Sequence, residues 1–147
     1  MIYTITSLSD SLCELVRQDP VRPHIPLESR IGDNSNIWVW LNEQDEPGAV
    51  VCVSWQDFVP TSEQELFQCK NATPSVAVFY TIWSMSPGAG QRLIIEAQKH
   101  LKSQYPHIQR AVTLSPPTAM ARKFHLRNGA FELQTNPTTV NFEYSLA

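Results

Sequence analysis

The sequence predicts a single α/β (α+β) domain, a mixed and mostly antiparallel sheet flanked by helices. Three observations carry this expectation. Apolar periodicity and turn residues give the order strand, helix, three strands, helix, strand, helix, two strands. The stretch Val76–Met85 is β-branched, aromatic or apolar almost throughout, as a central strand covered on both faces must be. The chain of 147 residues, 42% apolar and 17% charged, is long enough to bury roughly 68–70% of its unfolded surface in one core. One domain is therefore expected over residues 1–147.

Ile2–Ser7 alternates apolar and polar residues and reads as a half-buried strand. Ser9 is the expected cap of a short helix with Leu12, Leu15 and Val16 on one face, ending at Asp19-Pro20. Pro20, Pro23 and Pro26 make the next segment extended, and it is placed over one edge of the fold. Ile37–Leu41 is the second strand. The turn Glu43–Gly48 leads into its antiparallel partner, Ala49–Val59, with Val51, Val53 and Trp55 on one face. Pro60–Pro74 is a polar loop with a helical turn near Glu63–Phe67. In the central strand Val76, Val78, Tyr80 and Ile82 are expected on one face, and Ala77, Phe79, Thr81 and Trp83 on the other. After Ser86–Gly90, a helix over Gln91–Tyr105 buries Leu93, Ile94, Ala97 and Leu101. Ala111–Leu114 follows as a strand, parallel to the central one through a right-handed crossover. A third helix over Thr118–Asn128 ends at Gly129, and the strands Phe131–Gln134 and Thr139–Tyr144 flank an Asn136-Pro137 turn.

Composition excludes several classes. A net charge of −3 lacks the dense basic face that nucleic-acid binding needs. Cys13, Cys52 and Cys69 are odd in number and widely spaced, which suits reduced thiols and neither a disulfide framework nor a metal site. No apolar run approaches the ~20 residues of a membrane span, and no signal-peptide pattern opens the chain. A cytoplasmic protein without membrane or nucleic-acid partners is expected.

The loop Ser86-Pro87-Gly88-Ala89-Gly90 joins a central strand to a helix. Glycines let the backbone turn sharply, so the first helical amides point into one small space at the positive end of the helix dipole. A pyrophosphate suits that place, and so does a plain tight turn.

The element order, this loop and Asn128-Gly129-Ala130 after the third helix resemble the GNAT superfamily of acyl-CoA enzymes. That resemblance implies central strands that splay apart around the pantetheine arm of coenzyme A. It also implies Gly88, Ala89, Gly90 and Gln91 as backbone donors to the cofactor, with Met85 where the superfamily carries Arg or Gln. Several stretches further resemble the catalytic domain of malonyl-CoA decarboxylase. They are D-E-P-G-A-V-V-C-V-S-W from Asp45, F-Y-T-I from Phe79, K-S-Q-Y-P-H from Lys102, V-T-L-S-P from Val112 and F-H-L-R-N-G-A from Phe124.

By this resemblance Ser115 and His125 are the catalytic pair. Read from the residues alone, Ser115 equally suits a strand exit and His125 a structural histidine. Ser115 would orient the substrate carboxylate. His125, expected to titrate near neutral pH, would stabilise the enolate or deliver the proton. A backbone amide at Ile82 or Trp83 would donate to the thioester oxygen. No cofactor beyond the coenzyme A thioester, malonyl-CoA or acetyl-CoA, and no metal is implied. Only nine residues lie between Ser115 and His125, where the decarboxylases carry a long insertion. The alternatives are an N-acetyltransferase with His125 as general acid, for which Glu96 and Glu132 are weak candidates as base, and a non-catalytic acyl-CoA-binding module. Segments 20–36 and 60–74 are candidates for pocket walls or a homodimer contact.

Overall fold

The computed structural model describes residues 1–146. Seven strands form one sheet: β1 (Ile2–Ile5), β2 (Ser35–Leu41), β3 (Pro47–Gln56), β4 (Val76–Ser84), β5 (Arg110–Thr113), β6 (Phe131–Thr135) and β7 (Val140–Tyr144). Their order is β1-β2-β3-β4-β5-β7-β6. Every pairing is antiparallel except β4–β5. The three helices are α1 (Cys13–Val16), α2 (Ala89–Gln104) and α3 (Ala119–Arg127). The expected element order and mixed sheet are those observed. No helix among the described residues is long and apolar enough to cross a membrane.

The sheet is covered on both faces. On one, Leu93, Ile94, Ala97 and Leu101 of α2 pack on Trp38, Val51, Val53, Trp55 and Phe79, and this core runs on to Phe142 and Tyr144 of β7. Each Leu, Ile, Val or Phe side chain so removed from water contributes about 1.5–3 kcal/mol. On the other face Ile37, Val39, Val50, Cys52, Val78, Tyr80 and Leu114 lie beneath Val16, Leu27 and Leu66. The proline-rich segment thus crosses a face of the sheet and not its edge. A buried ion pair fastens it there, with Arg30 Nη1 donating to Asp19 Oδ2 at 2.7 Å. Asp19 Oδ1 also accepts from the Val21 and Arg22 amides at 2.7 and 3.0 Å and from Thr81 Oγ1 at 3.0 Å.

Three local expectations are corrected. Ser9 does not cap the first helix. Asp10 Oδ1 accepts from the Leu12 N–H at 2.9 Å, Ser9 bonds Ser7, and regular helix covers only Cys13–Val16. The third strand stops at Gln56, because the next side chain, Asp57, takes the amides of Lys70 and Asn71 and turns the chain. The faces of β4 also differ beyond Phe79. The register pairs Phe79 with Val53 and Thr81 with Cys52, leaving Tyr80 as an extra residue, a β-bulge. A bulge puts two successive residues on one side. Thr81, bonded to Asp19, and Trp83 therefore join the face of Val76, Val78 and Tyr80, while Ile82 lies with Ala77 and Phe79.

Candidate active site

The bulge coincides with the parting of two strands. Parallel pairing of β4 with β5 ends at Phe79↔Thr113, and the Leu114 N–H donates to Phe79 O at 3.0 Å. Beyond that point β4 continues to Ser84 beside β3, whereas the chain after β5 turns to β7, where Ser115 and Val140 exchange two backbone bonds of 2.9 Å. The gap so opened is the splay that the resemblance implied.

Bonds of an antiparallel ladder alternate along each strand. The Met85 N–H donates to Gly48 O at 2.8 Å and Trp83 is paired with Val50. The Trp83 amide is therefore spent on β3, and the Ile82 N–H is the one that points into the gap. Of the two proposed donors on β4, register favours Ile82 alone.

At the mouth of the gap stands the N-terminus of α2. Gly88 precedes it at φ +78°, a left-handed conformation that β-carbons disfavour. The Ala89 N–H is occupied by Ser86 O at 3.2 Å, so Ala89 is not a free donor. The amides of Gly88, Gly90 and Gln91 have no hydrogen-bond partner among the described residues and lie at the positive end of a 16-residue helix. Gly90 is closely covered: a β-carbon there would lie 3.1 Å from the Phe124 ring, which would have to give way. That contact brings α3 against the glycine loop.

Thr118 caps α3 by accepting from the Ala121 N–H at 3.2 Å. Its buried residue is His125. The imidazole stacks on Phe142 at 5.2 Å between centroids, and its Nδ1 lies 2.7 Å from the Tyr144 hydroxyl. Burial lowers the His125 pKa to about 4 and raises that of Tyr144, so both are neutral at pH 7. This overturns the expectation of a histidine titrating near neutrality. The protonated phenol has one partner among the described residues, Nδ1, and is itself 2% exposed. A buried O–H requires an acceptor. Nδ1 therefore accepts, and the ring proton resides on Nε2, which has no hydrogen-bond partner among the described residues.

Ser115 and Thr113 follow Ala111 on the same face of β5, the face that carries α2 and α3; Val112 and Leu114 point to the other. Ser115 Oγ donates to Thr113 Oγ1 at 2.8 Å, which also accepts from the Phe142 N–H at 3.0 Å. The Ser115 hydroxyl and the His125 ring are thus linked through Thr113 and Phe142, without a direct hydrogen bond. Sequence reading missed Thr113 and Tyr144 as partners of the pair. The alternation of Val140, Phe142 and Tyr144 on one face of the last strand is the signal that a ring and a phenol lie beside α3.

Glu96 and Glu132 are engaged elsewhere. Glu96 accepts from Trp40 Nε1 and the N-terminal amine, and Glu132 pairs with Arg122. Neither reaches the gap as a base. Among the described residues no group of three or more His, Cys, Asp and Glu side chains is placed to hold a metal ion.

No protein-family model matches the sequence, and no curated protein matches it. Solved structures do. A malonyl-CoA decarboxylase from Cupriavidus metallidurans superposes with a TM-score of 0.79 at 16% identity, covering 99% of this chain and 61% of that one. An acetyltransferase of the GNAT family from Staphylococcus aureus Mu50 superposes with a TM-score of 0.61 at 11% identity, covering 100% of both chains. The chain has the GNAT fold. A further structure, AAC(6′)-Ib in complex with paromomycin and acetyl-CoA, gives a TM-score of 0.69 at 12% identity over 98% of this chain and 93% of that one. The chain spans about three-fifths of the length of the decarboxylase. The His125 ring lies on the face of the sheet that carries α2, against Phe142.

Proposed function

We propose that this protein binds a short acyl-coenzyme A thioester in the gap between β4 and β5 and decarboxylates malonyl-CoA to acetyl-CoA. The observation that carries the reading is His125, neutral and buried, with Nδ1 held by Tyr144 and its proton on Nε2. A thioester enolate needs a fixed hydrogen-bond donor where its negative charge develops, and a neutral Nε2–H is such a donor.

In this mechanism the amides of Gly88, Gly90 and Gln91 hold the pyrophosphate. The Ile82 N–H and His125 Nε2–H meet the thioester oxygen, and the Ser115 hydroxyl holds the carboxylate out of the thioester plane. The bond between carboxylate and α-carbon breaks, its electron pair passes to the thioester oxygen, and carbon dioxide leaves. The α-carbon then takes a proton from solvent water and the thioester carbonyl re-forms. Acetyl transfer fits less well, because Glu96 and Glu132, the candidate bases for an amine, are both paired away from the gap.

Incubating the protein with malonyl-CoA and no amine, and following acetyl-CoA by mass spectrometry, tests the reading. Acetyl-CoA should exceed a protein-free control. Ser115→Ala and His125→Ala should each lower the rate by roughly 10²–10⁴-fold with circular dichroism unchanged. No product above control refutes decarboxylation, and full activity in both variants refutes the pair. Consumption of acetyl-CoA only on addition of an amine would establish transfer instead.

A further inference from the structure

The far side of the gap holds a group that the mechanism does not use. Arg22 reaches it from the proline-rich segment, on the face opposite Ser115 and His125. Its Nε donates to Tyr80 O at 2.8 Å and its Nη2 to Leu114 O at 2.7 Å. These carbonyls belong to the first residues beyond the last β4–β5 pair, Phe79↔Thr113. The guanidinium thus satisfies two acceptors that the parting strands leave without partners. Nη1 pairs with Glu63 of the 60–74 segment, whose other oxygen lies 2.5 Å from His24 Nε2. The Arg22 side chain is 8% exposed. A cation so buried, with a carboxylate and two carbonyls around it, is a fixed part of the wall and costly to displace.

We propose that Arg22 determines acyl specificity by closing the gap between β4 and β5, so that the site accepts short acyl groups. This rests on the acyl-CoA reading above. From Ile82, whose N–H would meet the thioester oxygen, to Tyr80, whose carbonyl holds Arg22, is two residues of strand, about 6–7 Å. That is room for a chain of roughly four carbons. A longer alkyl chain would have to desolvate the Arg22–Glu63 pair. The same closure leaves a second reactant no approach to the thioester from that face.

Calorimetric titration with acetyl-, butyryl-, hexanoyl- and octanoyl-CoA tests the proposal. Wild type should bind hexanoyl-CoA at least about tenfold more weakly than acetyl-CoA, although an open apolar passage would gain about fourfold per added methylene. Arg22→Ala should abolish that penalty. Wild type that binds hexanoyl-CoA as tightly as acetyl-CoA overturns the proposal and leaves the acyl-CoA reading standing. A folded Arg22→Ala protein with an undiminished length limit does the same. Wild type that binds no coenzyme A thioester overturns both. Should Arg22→Ala fail to fold, Glu63→Gln decides, since it keeps the plug and removes its counter-charge. The hexanoyl-CoA penalty should then shrink, because the guanidinium loses the carboxylate that holds it in place, and an unchanged penalty overturns the proposal.

Discussion

The Tyr144 hydroxyl donates to Nδ1 of His125 across 2.7 Å, fixing which ring nitrogen carries the proton. The phenol lies on the last strand and the imidazole on the helix before it, so two elements must dock before the tautomer is set. Tyr144→Phe removes the donor and frees Nδ1 to hold the proton instead. The expected result is a fall in kcat of roughly ten- to a hundredfold with KM little changed, and a stability loss of about 1 kcal/mol. Nitrogen-15 NMR of the ring should show the Nε2–H form giving way to a mixture. A single unchanged tautomer in the variant would show that Tyr144 does not set it.

Protonation of His125 should report on folding. Its folded pKa, about 4, lies below the ordinary 6.5 because burial penalises the imidazolium. As pH falls through 6.5 the unfolded chain takes up this proton while the folded one does not, so stability rises with pH across this window. The contribution is complete above pH 6.5 and is lost progressively down to about pH 4. It amounts to the order of 3 kcal/mol. Urea denaturation at pH 7 and pH 5 should show a flatter dependence in His125→Gln than in wild type. Parallel curves would mean that the imidazole is not buried as described. The rate profile should likewise show no His125 ionisation between pH 5 and 8.

Asp19 anchors the proline-rich segment, and its loss should be felt as stability. Asp19→Ala strands the buried Arg30 guanidinium and removes the acceptor of Thr81 and two amides. Breaking one side of a buried pair costs about 3–5 kcal/mol. The urea midpoint should fall accordingly, and Asp19→Asn, which keeps the acceptor oxygen, should lose less. Equal midpoints for wild type and Asp19→Ala would contradict the buried pairing.

At the glycine loop, Gly90→Ala brings a β-carbon to 3.1 Å from the Phe124 ring, which must move, and Phe124 is the neighbour of His125. Coenzyme A affinity and turnover should drop together while the thermal midpoint changes little. Gly88→Ala imposes φ +78° on a β-carbon at a cost of about 1–2 kcal/mol. It should lower the midpoint as well. Unaltered coenzyme A binding in Gly90→Ala would dissociate this loop from the ligand.

The order of elements, the central strand and the buried stripe of α2 were legible in the residues, because periodicity of 2 and 3.6 is a local property of the chain. Ser115, His125 and the glycine loop stood out in the sequence only through short motifs that resemble a known family. Beyond reach of the sequence was everything that depends on where one element meets another. The bulge at Tyr80 that turned Ile82 and Trp83 over arises from the β3–β4 register. The neutral state of His125 follows from burial between α3 and β7, and its tautomer from Tyr144. Arg22 read as part of an irregular proline-rich stretch, yet its guanidinium lies against residues 58 and 92 positions further along the chain. Local pattern determines what each segment becomes. Burial, register and charge pairing across the sheet decide what its side chains can do, since those energies exist only once the segments are packed.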